Sequence, residues 1–316
     1  MTAKGPSGKL RWLHCLHTGD PKIDGDAKRA AEEPGSQKGL DTLWFPGIKH
    51  PNKADVSEYA LIGMPSLYER SSRDGVRRDR KSGFNVNKWM LEAGNLNTLR
   101  EDGSFETSVE DYATRVRRWW HLGHLLAVMP QDAPCKQTPR RVTGLSVEDH
   151  QRITLDSYMS LKAILEQPPF PEHLGRSPYV MPVLQGSTGR EYANHLEQYL
   201  EECPEGLPGG AWVAVGRSDA RDYTPRAAGN LMRTLLDIRG DLLFHVPSGL
   251  KKFTRDAPFH RLTYSQGHYR WGFPEDSGED GNDHDNIEKF ARREREALES
   301  GSLVYQPDLG EALDDF

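Results

Sequence analysis

Four short apolar runs in this chain each end on a residue with usable chemistry. KWMLE stops at Glu92, HLLAVMPQ runs into Asp132, YVMPVLQG closes with Gln185 and Gly186, and AWVAVG closes with Gly216. An acid, an acid, a carboxamide and bare backbone form a set suited to a purine-like base. A carboxylate accepts from a ring N–H and an exocyclic amine, an amide meets a carbonyl edge, and glycine lets a ring approach the backbone. Each residue alone also has a plain structural use, since an acid caps a helix and Gln185 can hold a turn. The weight lies in the ordered set.

Other reactive types are placed less tellingly. His14 and His17 stand three apart without a carboxylate at ligand spacing. Cys15, Cys135 and Cys203 belong to no CxxC or Cys/His cluster. Neither a metal site nor a redox motif is therefore expected, no cofactor is implied, and the cysteines read as buried or half-buried thiols. Arg70–Lys81 holds six basic and two acidic residues, with Arg77 and Arg78 near its centre. It is the best candidate for gripping a phosphate backbone. PSGLK (247–251) offers a glycine and Lys251 as a second candidate phosphate contact. Residues 272–316 hold 14 Asp/Glu against four Lys/Arg, a net of −10, which leaves +4 for residues 1–271. An acidic tail on a mildly basic body fits a protein that meets a polyanion, and it also fits ordinary solvated surface.

The apolar runs must be strands if they are to present these side chains together. Runs at 9–16, 59–64, 88–94, 124–132, 179–186, 211–216, 241–246 and 260–264 are bounded by Gly and Pro, as buried parallel strands are. Between them, 108–123, 146–167, 188–202 and 224–240 have helical spacing, the first with Ser108 as its cap. Trp119 and Trp120 are adjacent, so one is expected to pack inward and one to lie near the surface. Strand alternating with helix through about eight units predicts an α/β chain with a (β/α)8 TIM-type barrel over 1–271. A doubly wound sheet fits the alternation too, but no GxGxxG follows the first strand. Residues 272–316 read as an acidic loop and helix, or as the segment that closes the barrel. In a barrel the functional groups gather at the carboxyl ends of the strands, where Glu92, Asp132, Gln185 and Gly216 fall.

The 316 residues have a mean hydropathy of −0.73 and no run near the roughly 18 apolar residues of a membrane span. The first residues, MTAKGPSGKLRW, have no apolar signal core. No membrane partner is expected, and the location expected is cytoplasmic.

LEAGNLNTLREDGSFETSVEDYATRVRRWW, MPQDAPC, TGLSVEDHQRITLDSY, PVLQGST and WVAVGRSD occur in that order. The ordered set resembles the tRNA-guanine transglycosylase superfamily over roughly 88–265. It is most similar to the branch that inserts 7-deazaguanines into DNA in bacteria and phages. The resemblance implies a (β/α)8 barrel that exchanges guanine for a 7-deazaguanine by double displacement. A carboxylate attacks C1′, guanine leaves, the incoming base displaces the enzyme, and a second carboxylate moves protons. It also implies roles. Asp132 recognises the base, Gln185 with Gly186 reads its carbonyl, and Gly216 turns its backbone to the amine. It brings a nucleic-acid partner (DNA favoured over tRNA), guanine or a 7-deazaguanine, a homodimer, and the host cytoplasm if the chain is phage-encoded.

The catalytic positions depart from that pattern. Where the family has Asp-Ser-Gly and then an aromatic, this chain has Glu92, Ala93, Gly94 and Leu96. The nucleophilic aspartate belongs near LTYSQGHYRW, where Tyr264, Ser265 or Gln266 stands. Asp256 and Asp276 are the nearest acids and lie outside the motif, and the family's C-terminal zinc ligands are missing. Three readings follow: a diverged transglycosylase using Glu92 or a shifted carboxylate, an N-glycosidase in which Glu92 activates water, and an inactive base- or nucleic-acid-binding subunit. An unrelated sugar- or phosphate-metabolising barrel is a fourth.

Overall fold

The computed structural model describes residues 43–47, 59–70, 77–79, 88–94, 99–120, 123–167, 177–203, 205–216, 225–247 and 262–266. The strands are β1 (Leu43–Pro46), β2 (Tyr59–Gly63), β3 (Tyr68–Arg70), β4 (Arg77–Asp79), β5 (Lys88–Glu92), β6 (His124–Val128), β7 (Tyr179–Val180), β8 (Val183–Leu184), β9 (Trp212–Val215), β10 (Leu243–Pro247) and β11 (Leu262–Gln266). The helices are α1 (Val109–Trp119), α2 (Gln137–Thr143), α3 (Val147–Glu166), α4 (Gly189–Glu202) and α5 (Pro225–Ile238).

The chain is a mixed α/β protein with parallel sheets. One sheet runs β2-β5-β6-β7 and the other β1-β11-β10-β9-β8. Every pairing in the two is parallel. Only Met181 and Pro182 separate β7 from β8. Met181 N–H donates to Val128 O at 2.9 Å, and Ala214 N–H donates to Pro182 O at 2.8 Å, so this one run passes from the first sheet to the second. Pro182 has no N–H to give the ladder, which accounts for the break. At the other end of both sheets, Gly47 bridges Leu61 in parallel.

Alternation along the strands sorts the apolar residues into two cores. Phe45, Tyr59, Leu61, Met90, Leu126, Met181, Val183, Trp212 and Ala214 form one. Ile62, Trp89, Leu91, Val213, Val215 and Phe244 join the other, against Tyr112 and Val116 of α1, Leu155 and Leu161 of α3, and Leu196 of α4. Burial on both faces is why the strands read as unbroken apolar runs. Helix starts follow local chemistry. Ser108 Oγ accepts from Asp111 N–H at 3.1 Å, and Ser146 with Asp149 and Thr188 with Glu191 form capping boxes.

Several expectations change. The run 9–16 lies outside the described residues, and the strand beside β11 is Leu43–Pro46, which the pattern reading left unassigned. The eighth strand extends to Gln266, so Tyr264, Ser265 and Gln266 lie within it rather than after it. Trp119 and Trp120 are both buried, because the end of α1 packs into the core that the helices share with the strands. Part of the basic run is strand: β4 pairs antiparallel with β3, Arg70 opposite Arg77 and Glu69 opposite Arg78. Short α2 was not expected. Residues 272–316, Lys251, Asp256 and Leu96 lie outside the described residues. Among those described, no helix is long and apolar enough to cross a membrane.

Among the described residues His150, His195 and His245 are buried, and burial shifts the last two furthest toward the neutral form. His245 has ring nitrogens 2.8 Å from Thr263 Oγ1 and 3.1 Å from Ser265 Oγ, and His195 Nδ1 accepts from Gln185 N–H at 2.8 Å. Burial pushes both pKa values down to about 3 from an ordinary 6.5. As pH falls below that ordinary value the unfolded chain takes up protons first. The stabilisation is therefore complete above it and is lost on the way down to the folded value. Each histidine should tilt unfolding free energy by about 1.4 kcal/mol per pH unit inside that window. Urea midpoints are expected to drop steadily from pH 7 to pH 5; a flat profile would contradict buried neutral rings.

Candidate functional site

Asp132, Gln185, Gly186 and Gly216 come together where β6, β8 and β9 end. Asp132 follows β6 and is half-buried, while Gln185 follows β8 and is 1% exposed. Gln185 Nε2 donates to Asp132 Oδ2, so the acid and the amide form one unit. Gly216 lies against that amide. A Cβ built on it would stand 2.5–2.6 Å from Gln185 Nε2, Cδ and Oε1, so no other residue fits there without displacing Gln185. Gly186 is enclosed similarly, with its absent Cβ 2.9 Å from Tyr192 N.

The backbone here is held from the helices. Gln185 N–H donates to His195 on α4, and Gln185 O accepts from Gln151 Nε2 on α3 at 2.8 Å. The same Gln151 nitrogen reaches Glu191 O at 2.8 Å, tying the first turn of α4 to the strand end. Gly216 N–H donates to Leu184 O and Gly216 O accepts from Tyr192 Oη, both at 2.8 Å. The expected turning of this backbone to an amine thus leaves one carbonyl lone pair for the purpose. Gln185 Oε1 is buried and has no hydrogen-bond partner among the described residues.

Glu92 is the last residue of β5 and is exposed. It shares its strand face with Met90, which belongs to the core that holds Phe45 and Trp212, so it ends that face two residues further along the strand. Ser265 is 1% exposed and registers beside Pro247 and Phe45. The structure adds what the sequence could not show: His245 Nε2 lies next to its hydroxyl. Arg77 and Arg78 lie in β4, whose backbone alone is described.

Gln151, His195 and Tyr192 were missed by sequence reasoning. The available signal was a polar residue on the apolar stripe of a helix: Gln151 lies one turn before Leu155, and His195 between Tyr192 and Tyr199. Among the described residues no group of three or more His, Cys, Asp or Glu could hold a metal ion.

The family model described as DeoxyPurine in DNA protein A, DpdA, matches residues 60–256. That span starts in β2, includes Glu92, Asp132, Gln185 and Gly216, and covers more than half of the chain. No curated protein matches the chain. The chain belongs to the DpdA family.

Proposed function

We propose that this protein exchanges guanine in DNA for a 7-deazaguanine, within a barrel closed from its two sheets. Membership of the DpdA family carries the coarser function, a DNA-modifying, transglycosylase-like one. The observation that carries the finer reading is the Asp132–Gln185–Gly216 cluster, a base-sized polar edge on three neighbouring strand ends. The passage of one run between sheets at Met181–Pro182 and the Gly47–Leu61 bridge support closure into eight strands. Two separate apolar cores support it as well.

In this reading Asp132 accepts from the base and Gln185, with Gly186, orients it. Glu92 supplies the carboxylate that attacks C1′. The C1′–N bond breaks, the departing guanine takes a proton, and the incoming base gives up its ring proton as it displaces Glu92. The test is a base-exchange assay with labelled guanine and a labelled 7-deazaguanine on DNA and on tRNA. Incorporation into DNA is expected. No incorporation into either polymer, with DNA binding retained, favours the inactive binding subunit, and release of free guanine without incorporation favours the N-glycosidase.

The basic run gives a separate expectation. If Arg77 and Arg78 contact phosphates, changing both to Gln should flatten the dependence of log affinity on log salt by about 0.7–0.9 per lost contact. A wild-type slope would make the β3–β4 pair plain solvated surface. Lys251 is proposed as a further phosphate contact.

A further inference from the structure

Segments that follow the strands at the Asp132 end differ sharply in charge. Leu99–Asp111, after β5, carries five acids and one arginine, whereas Ala133–Leu145, after β6, carries Lys136, Arg140 and Arg141 and no acid. The two are neighbours, since a Cβ on Gly103 would lie 2.6 Å from Leu145 Cδ1. On the other flank Ser187 Oγ donates to Cys135 O at 2.9 Å, which ties the approach to α2 to the turn after Gln185. Helix α2 therefore stands beside the candidate pocket, on the connection that carries Asp132.

Thr143 ties the end of the helix to His150, its Oγ1 2.8 Å from His150 Nε2, while the three residues before it are turned to less use within the protein. Arg141 is exposed and makes no hydrogen bond or ion pair among the described residues. Arg140 is half-buried with its Nε enclosed and unpartnered. Val142, 53% exposed, is the one large apolar side chain exposed among the described residues. A lone exposed valine is ordinary on a surface. Next to two arginines, at the edge of a pocket for a base, it has a use.

We propose that α2 is the strand-gripping element, with Arg140 and Arg141 on phosphates beside the target nucleotide and Val142 filling the place that nucleotide leaves. The inference rests on base exchange in DNA, because a base read by Asp132 and Gln185 must first leave the stack. Apolar wedges flanked by cationic side chains are a general means of holding such an opened step. The acidic segment after β5, next to the one that holds α2, repels the strand and so biases its course toward α2.

The test uses a guanine-containing DNA duplex with 2-aminopurine beside the guanine, titrated with the full-length protein at several salt concentrations. The Arg140→Gln/Arg141→Gln variant is expected to flatten the salt slope by about 1.8, from two contacts at about 0.9 each. Arg141→Gln alone, at an exposed position, should give about half of that, which keeps the test intact should the double variant misfold. Val142→Ser should bind DNA yet lose the rise in 2-aminopurine fluorescence. Affinity for free guanine by calorimetry should stay at the wild-type value in all three. A wild-type slope in both arginine variants overturns the phosphate contacts, and an unchanged fluorescence rise in Val142→Ser overturns the wedge. Absence of DNA binding by the wild type would instead overturn base exchange itself.

Discussion

Glu92→Gln is expected to abolish base exchange while leaving DNA affinity and thermal stability near wild type. The change keeps the size of the side chain and removes its charge, at an exposed position where neither core is touched. General acid–base assistance alone is worth about 10²–10⁴ in rate, and removal of the attacking carboxylate leaves no covalent route. Ser265 is the competing candidate, since His245 lies beside its hydroxyl. Two facts argue against it. Ser265 is 1% exposed, and a serine ether at C1′ would be a far poorer leaving group than a carboxylate ester in the second displacement. Ser265→Ala and Gln266→Ala should therefore retain most activity in the labelled-base assay. A covalent DNA adduct mapped by mass spectrometry to 262–266 would overturn this assignment, and full activity in Glu92→Gln would move the chemistry to a carboxylate elsewhere.

The second large effect is expected at Asp132. Asp132→Ala removes the acceptor proposed for the base and also strips Gln185 Nε2 of its partner in a buried setting. Loss of a charged hydrogen-bond partner costs about 1.5–3 kcal/mol, roughly tenfold to a hundredfold in affinity for guanine. Calorimetry with guanine and a 7-deazaguanine reads this directly, and unchanged affinity would remove the base from this pocket. Gly216→Ala should give a loss of the same kind without touching any charge, because the new methyl overlaps the Gln185 amide. Agreement between the two variants would show that the acid and the amide act as one reader.

The strand ends were legible because chemistry and boundary coincide there. Glu92, Asp132, Gln185 and Gly216 each close an apolar run, and a run buried on both faces announces itself. Helices α1, α3 and α4 were legible from Ser108, Ser146 and Thr188, whose caps act within four residues. What failed was non-local. β1 is four residues long, too short to stand out by pattern, and only pairing with β11 marks it as a strand. The grip of Gln151 and His195 on Gln185 spans 34 and 10 residues, and no local pattern records it. The side chain of Trp120 is buried just beyond the helix because tertiary packing, not periodicity, covers it.

The three-point hold on Gln185 has a thermal consequence. Fixing a glutamine side chain costs about 1.5–2 kcal/mol of rotamer freedom; here Asp132 holds the amide and α3 and α4 fix the backbone that carries it, so the cost is met while the chain folds. A ligand arriving later finds the edge already set, and none of its binding energy goes into ordering it. Two of the edge's three anchors, Gln151 and His195, are buried helix residues, so it has no independent melting step. Warming the protein should leave base affinity governed by ligand and solvent alone until the fold itself gives way, at which point the reader and the scaffold are lost together.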